Sequence, residues 1–103
     1  MNEKQLPTIN NYGYYSSNNY GAHSLKVEIP PSNKNKHGIT LYFSYETLIA
    51  FEGFIGGSSQ KVVIKNQWGV TTGKHLNFID GGSKNRVEEK EFNKLYRQAL
   101  KNA

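Results

Sequence analysis

Three histidines and one glycine-threonine segment are the residues in this chain whose types and spacing could do chemistry. His23 and His75 each follow a turn-rich stretch flanked by aromatic residues, whereas His37 sits in a Lys-rich loop where solvation accounts for it. If His23 and His75 converge in space, they can serve as acid and base near neutral pH, the range in which imidazole titrates. With Lys74 as the cation beside them, the reaction would be metal-independent phosphodiester cleavage. A structural hydrogen-bonding role for each histidine is the competing reading, because no spacing fixes their convergence.

The segment Val70-Thr71-Thr72-Gly73-Lys74 invites comparison with a nucleotide-binding loop and fails it. That loop needs a hydroxyl residue after its lysine, and His75 stands there; Gly69 is also one position too close to Gly73. What survives is a helix start. The free N–H groups of a first turn attract anions, and Thr71, Thr72, Lys74 and His75 around one could hold a phosphate or carboxylate. Simple capping by Thr71 or Thr72 is the alternative. Trp68, the single tryptophan, precedes this start and is expected to anchor the loop on the core. The chain has no cysteine, no His-x-His, no HExxH and no carboxylate cluster, so neither a metal site nor a cofactor is expected.

A third constellation is aromatic and basic. Tyr12, Tyr14, Tyr15 and Tyr20 crowd one Asn- and Gly-rich stretch, and Lys34 and Lys36 follow in a polar loop. Tyrosines can stack on bases while lysines hold phosphates. They equally give contact area for a protein partner at little entropic cost, and plain loop packing is a third reading. The candidate binding residues are therefore Tyr12, Tyr14, Tyr15, Tyr20, His23, Lys34, Lys36, Thr71, Thr72, Lys74 and His75.

The elements that must position these residues follow from periodicity. The chain has 103 residues, with 13 basic against 8 acidic side chains and a net charge of +5. That length specifies one domain able to bury a core without staples. Residues 1–8 read as a flexible tail and 9–103 as a single α+β domain. About four antiparallel strands are expected: Ser24 to Ile29 with Leu25, Val27 and Ile29 on the buried face; Ile39 to Ser44; Thr47 to Phe51, buried on both faces; and Lys61 to Lys65 after a Gly56-Gly57-Ser58-Ser59 turn. A short helix with Leu76, Phe78 and Ile79 ends at Asp80-Gly81-Gly82. Asn85 and Glu88 have capping-box spacing before a C-terminal helix packed on the sheet through Phe92, Leu95, Tyr96, Ala99 and Leu100. Its early Glu88, Glu89 and Glu91 and late Lys94, Arg97 and Lys101 complement the helix dipole. No apolar run approaches a membrane span and no signal peptide is evident, so the expected location is the cytoplasm of a host cell. A monomer or a small homo-oligomer is expected.

Asn11-Tyr12-Gly13, Tyr15-Ser16-Ser17-Asn18-Asn19-Tyr20-Gly21-Ala22-His23, Tyr42-Phe43-Ser44-Tyr45-Glu46-Thr47 and Trp68-Gly69-Val70-Thr71-Thr72-Gly73-Lys74-His75-Leu76-Asn77 together resemble a family of small hypothetical proteins carried by phages and other mobile elements. The resemblance runs on through Ile79-Asp80-Gly81-Gly82 and Arg86-Val87. It implies a genomic setting and no catalytic residues. Accessory proteins in that setting act by binding, so the resemblance points to an inhibitor of a host or defence protein or nucleoprotein, such as an anti-CRISPR. Single-stranded DNA or RNA binding is the second reading, and a small nuclease using His23 and His75 the third.

Overall fold

The computed structural model describes residues 7–12, 24–31, 37–82 and 85–103. Five strands form one antiparallel sheet in sequence order: β1 (Thr8–Asn11), β2 (Ser24–Ile29), β3 (Ile39–Ser44), β4 (Thr47–Ile55) and β5 (Ser58–Val63). Two helices follow, α1 (Val70–Asp80) and α2 (Glu89–Asn102). The α+β class and the sheet-packed C-terminal helix agree with the sequence reading. The strand count does not: Thr8–Asn11, expected as tail and loop, adds a fifth strand by pairing with Leu25 to Glu28. Its Thr-Ile-Asn-Asn sequence is too short and polar to show alternation, so the ladder to β2 makes it a strand.

β4 runs to Ile55, well past Phe51, and the turn shrinks to Gly56-Gly57. Both turn residues have positive φ, 61° and 93°, which glycine adopts without steric cost. At the other end of β4, Tyr42 faces Ala50 and Phe43 faces Leu48, so Ile49 is an unmatched bulge residue. Ile49, Ala50 and Phe51 are fully buried, as the apolar run requires. β2 is less one-sided than its alternation suggests: Leu25 through Ile29 are all half-buried.

The two helices lie on opposite faces of the sheet. Phe51 packs edge-on against Phe92 of α2 at 5.3 Å between centroids, and lies 5.4 Å from Tyr96. Gly53, two residues along the same face, sits so close under α2 that an added Cβ would come within 2.7 Å of the Ala99 Cβ. Val62 is paired with Phe51, so its neighbour Lys61 points to the other face. There Lys61 Nζ donates to the Ile79 carbonyl at 3.1 Å, tying down the C-terminal turn of α1. Phe92 and Ala99 are buried, Leu95 and Tyr96 half-buried, while Leu100 at the edge of the expected stripe is exposed.

Neither helix is capped as expected. Gly69 is the N-cap of α1 and Glu88 that of α2, and neither helix has a side-chain cap. Thr72 is bonded elsewhere, and the Glu88 carboxylate is taken by Lys65 at 2.8 Å. The segment between the helices is itself anchored. Val87 forms a parallel bridge with Ile64 at the β5 edge. Arg86 grips Asp80 through two bonds, at 2.8 and 2.9 Å, and reaches Asn77 at 2.9 Å. The Asp80 carboxylate beside it, outweighing partial burial, holds the Arg86 guanidinium further in its charged form. Among the described residues, no helix is long and apolar enough to cross a membrane.

Candidate functional site

Tyr12, the Tyr42-to-Thr47 segment and the Trp68-to-Asn77 segment meet where α1 crosses the end of β3. Ser44 is the last residue of β3 and is buried; His75 and Thr72 reach it from α1, one turn apart. Ser44 Oγ lies 2.6 Å from His75 Nδ1 and 3.0 Å from Thr72 Oγ1. Tyr12, just past β1, closes the cluster. Its hydroxyl donates to the Phe43 carbonyl at 3.1 Å, and its ring stands edge-on to Tyr42 at 5.4 Å and to His75 at 6.0 Å.

The Thr72 hydroxyl–Ser44 hydroxyl–His75 imidazole chain has, at Ser44, the contacts of an activated nucleophile. Its burial argues for another use. His75 is 0 % exposed and Ser44 2 %, so no reacting atom of a substrate can touch either in this structure. Buried polar atoms are costly unless paired, and here each pairs with the next. The chain therefore acts as a lock that fixes α1 over the β3–β4 turn.

Tyr42 leads outward from the lock along the same sheet face. Its hydroxyl donates to Glu52 Oε1 at 2.9 Å, and Lys26 and Lys61 place their ammonium groups 5.8 and 5.9 Å from its ring centre. Burial, reinforced by the Glu52 carboxylate, pushes the Tyr42 phenol well above the usual tyrosine range. Beyond it, Glu28, Thr40, Glu52, His37 and Phe54 line an open groove of about 440 Å³. The Glu28 carboxyl is held below its usual range by its bond to Lys26. His37, read from sequence as merely solvated, is exposed and also stacks on Phe54 at 3.8 Å and 6°.

Of the sequence-predicted residues, the structure brings Tyr12, Thr72 and His75 together. His75 and Thr72, expected at an anion-facing helix start, instead point inward because Ser44 supplies their partner. Lys74 is half-buried beside His75 on α1. The Thr71 side chain, and Tyr14, Tyr15, Tyr20, His23, Lys34 and Lys36, lie outside the described residues, as does any meeting of His23 with His75. Trp68 is corrected: it is 46 % exposed, held through its backbone N–H, which donates to Asn66 Oδ1 at 2.9 Å, rather than by core packing.

Sequence reasoning missed Ser44, Tyr42 and Tyr45 as site residues. A small hydroxyl residue ending an apolar strand was the available signal for Ser44. Tyr45 carries a structural one. It is exposed, its ring lies 6.1 Å from His75, and it has φ 58°, the one positive φ among the described non-glycine residues. A tyrosine in the left-handed region costs about 1–3 kcal/mol, and such strain gathers at functional sites.

Neither the curated proteins nor the solved structures give a match to the chain. A family model does match, over residues 8–94, and it describes a family of unknown function, DUF8033. The match spans every strand, α1 and the first part of α2, and the chain belongs to this family.

Proposed function

We propose that the protein acts by binding a macromolecular partner and carries out no reaction at its motif histidine. One observation carries this reading: Ser44 and His75 are sealed inward while three aromatic rings on α1 and its neighbouring segments are exposed. Tyr45 on the adjoining turn, Trp68 before α1 and Phe78 on α1 are each close to half exposed. Exposed aromatic side chains on and beside a helix held by buried bonds suit an interface, where such residues are enriched among those that carry the binding energy.

The partner class we propose is a host or defence protein or nucleoprotein, inhibited by being bound. The chain's size, its net charge of +5 and its resemblance to proteins of mobile elements support that choice. Nuclease chemistry at His75 is the weaker reading, since the imidazole is buried and already bonded to Ser44.

Capture from bacterial lysate at moderate salt, comparing wild type with the Tyr45→Ser, Trp68→Ser, Phe78→Ser triple variant, tests this function. A partner retained by the wild type and lost by the folded variant is expected. Identical capture by both, or turnover of labelled RNA or DNA that disappears in His75→Ala, would contradict it.

A further inference from the structure

α2 presents a surface that neither the lock nor the exposed aromatics use. Lys90, Lys94, Arg97 and Lys101 recur at spacings of four, three and four residues, and all four are exposed. At 3.6 residues per turn they fall within about 60° of one another, along about 16 Å of helix. Phe92 and Ala99, which fix α2 on the sheet, lie on the opposite side of the same helix. Packing therefore aims the basic stripe at solvent.

Helix stability accounts for only part of this stripe: Arg97 and Lys101 lie toward the C-terminus, where the dipole favours cations. Lys90 is in the first turn, where a positive charge opposes the helix dipole. Lys90 with Lys94, Lys94 with Arg97, and Arg97 with Lys101 are like-charge neighbours, each costing roughly 0.2–0.5 kcal/mol. Nor do carboxylates neutralise it. Glu88 is drawn to Lys65 and Glu89 to Gln67, both at the sheet side of the helix start, and Glu91, three residues before Lys94, forms no ion pair with it. Among the described residues, none of the four cations takes part in an ion pair, the pairs being Lys26–Glu28, Lys61–Glu52, Lys65–Glu88 and Arg86–Asp80. Four aligned, exposed cations without ion-pair partners among the described residues, crowded closer than the dipole alone asks, make a binding feature.

We infer that the Lys90–Lys94–Arg97–Lys101 stripe of α2 binds the phosphate backbone of a nucleic acid without reading its sequence. The stripe is flanked by Asn93 and Gln98, and Arg, Lys, Asn and Gln are the side chains that contact phosphates. A protein interface of this size would be rich in aromatics and poor in lysine. A membrane-lying helix needs a free apolar face, and that of α2 is spent on the sheet. The backbone of a polynucleotide is the anion that fits what remains.

Fluorescence anisotropy with labelled duplex DNA, single-stranded DNA and single-stranded RNA over a range of salt tests the stripe. For the duplex, four phosphate contacts add about −3.6 to the slope of log Kobs against log[salt], roughly a tenfold loss per doubling of salt. For single strands they add about −2.8. Changing Lys90, Lys94, Arg97 and Lys101 to Gln together should remove that part of the slope, and changing the three lysines to Arg should retain it. The Gln variant should melt close to wild type, because relieved like-charge repulsion offsets the lost dipole interaction of Arg97 and Lys101. No binding to any of the three, an unchanged slope in the Gln variant, or a Gln variant that unfolds would overturn the inference. So would equal affinity for labelled polyglutamate, or stripe-dependent binding to phosphatidylserine vesicles without binding to nucleic acid. The Tyr45, Trp68, Phe78 triple variant should keep this salt-dependent binding, which separates the stripe from the proposed aromatic surface.

Discussion

α1 turns Thr72 and His75 into the protein and leaves Phe78 outside, whereas α2 buries Phe92 and Ala99 and leaves Lys90, Lys94, Arg97 and Lys101 outside. The two helices are held by different physics. α2 has an apolar stripe, Glu89 and Glu91 in its first turn and Lys101 in its last, so burial and its own dipole both favour it. α1 has no acidic residue in its first turn, no basic residue in its last, no side-chain cap, and Gly73 in its interior. An interior glycine alone costs about 1 kcal/mol relative to alanine. Beyond burial of Leu76 and Ile79, what holds α1 is external to it: Ser44 at His75, Lys61 at the Ile79 carbonyl, and Arg86 at Asp80 and Asn77. A helix with weak intrinsic preference can be placed accurately when hydrogen bonds from other elements, here one of them buried, anchor it along its length.

The largest expected effect is on the lock. His75→Ala removes a fully buried ring and takes the imidazole partner from the buried Ser44 hydroxyl, a loss of about 3 kcal/mol. Urea unfolding reads it. Native-state hydrogen exchange should show α1 amides losing protection while α2 amides keep theirs. Equal loss in both helices would erase the distinction drawn between them.

Arg86→Ala should come next. It frees one end of α1 and leaves the largely buried Asp80 without its bidentate partner, costing about 1–3 kcal/mol. Again the deprotection should concentrate in α1. A smaller change of opposite sign is expected at the adjoining turn. Tyr45→Gly relieves the left-handed strain and should raise stability by up to about 1 kcal/mol while weakening capture of a protein partner. A destabilised Tyr45→Gly would mean the ring contributes more to packing against His75 than the strain removes. The smallest stability effect belongs to the basic stripe of α2, where Lys94→Gln with Arg97→Gln should change the melting temperature little.

These contrasts also explain what was legible in the sequence. α2 could be read because amphipathic spacing and charge order are local properties. β4 and its turn could be read because Leu48-Ile49-Ala50-Phe51 and Gly56-Gly57 are local signals too. Thr8–Asn11 could not, since its strand character comes from the ladder to β2. The Trp68-to-His75 segment was correctly placed at a helix start, but the direction of its side chains was not available. Whether His75 faces an anion or a core hydroxyl depends on Ser44, 31 residues away in sequence. Trp68 was misjudged for a related reason. Size and apolar character favour burial, yet Asn66 secures that loop through the backbone and leaves the indole out.

The most direct test of the account is a double-mutant cycle of Ser44→Ala and His75→Ala, measured by denaturant unfolding. The buried bond at 2.6 Å predicts that the two losses are strongly non-additive, with a coupling of about 1–2 kcal/mol. Losses that simply add within about 0.5 kcal/mol would contradict the lock and return His75 to the pool of candidate reactive groups.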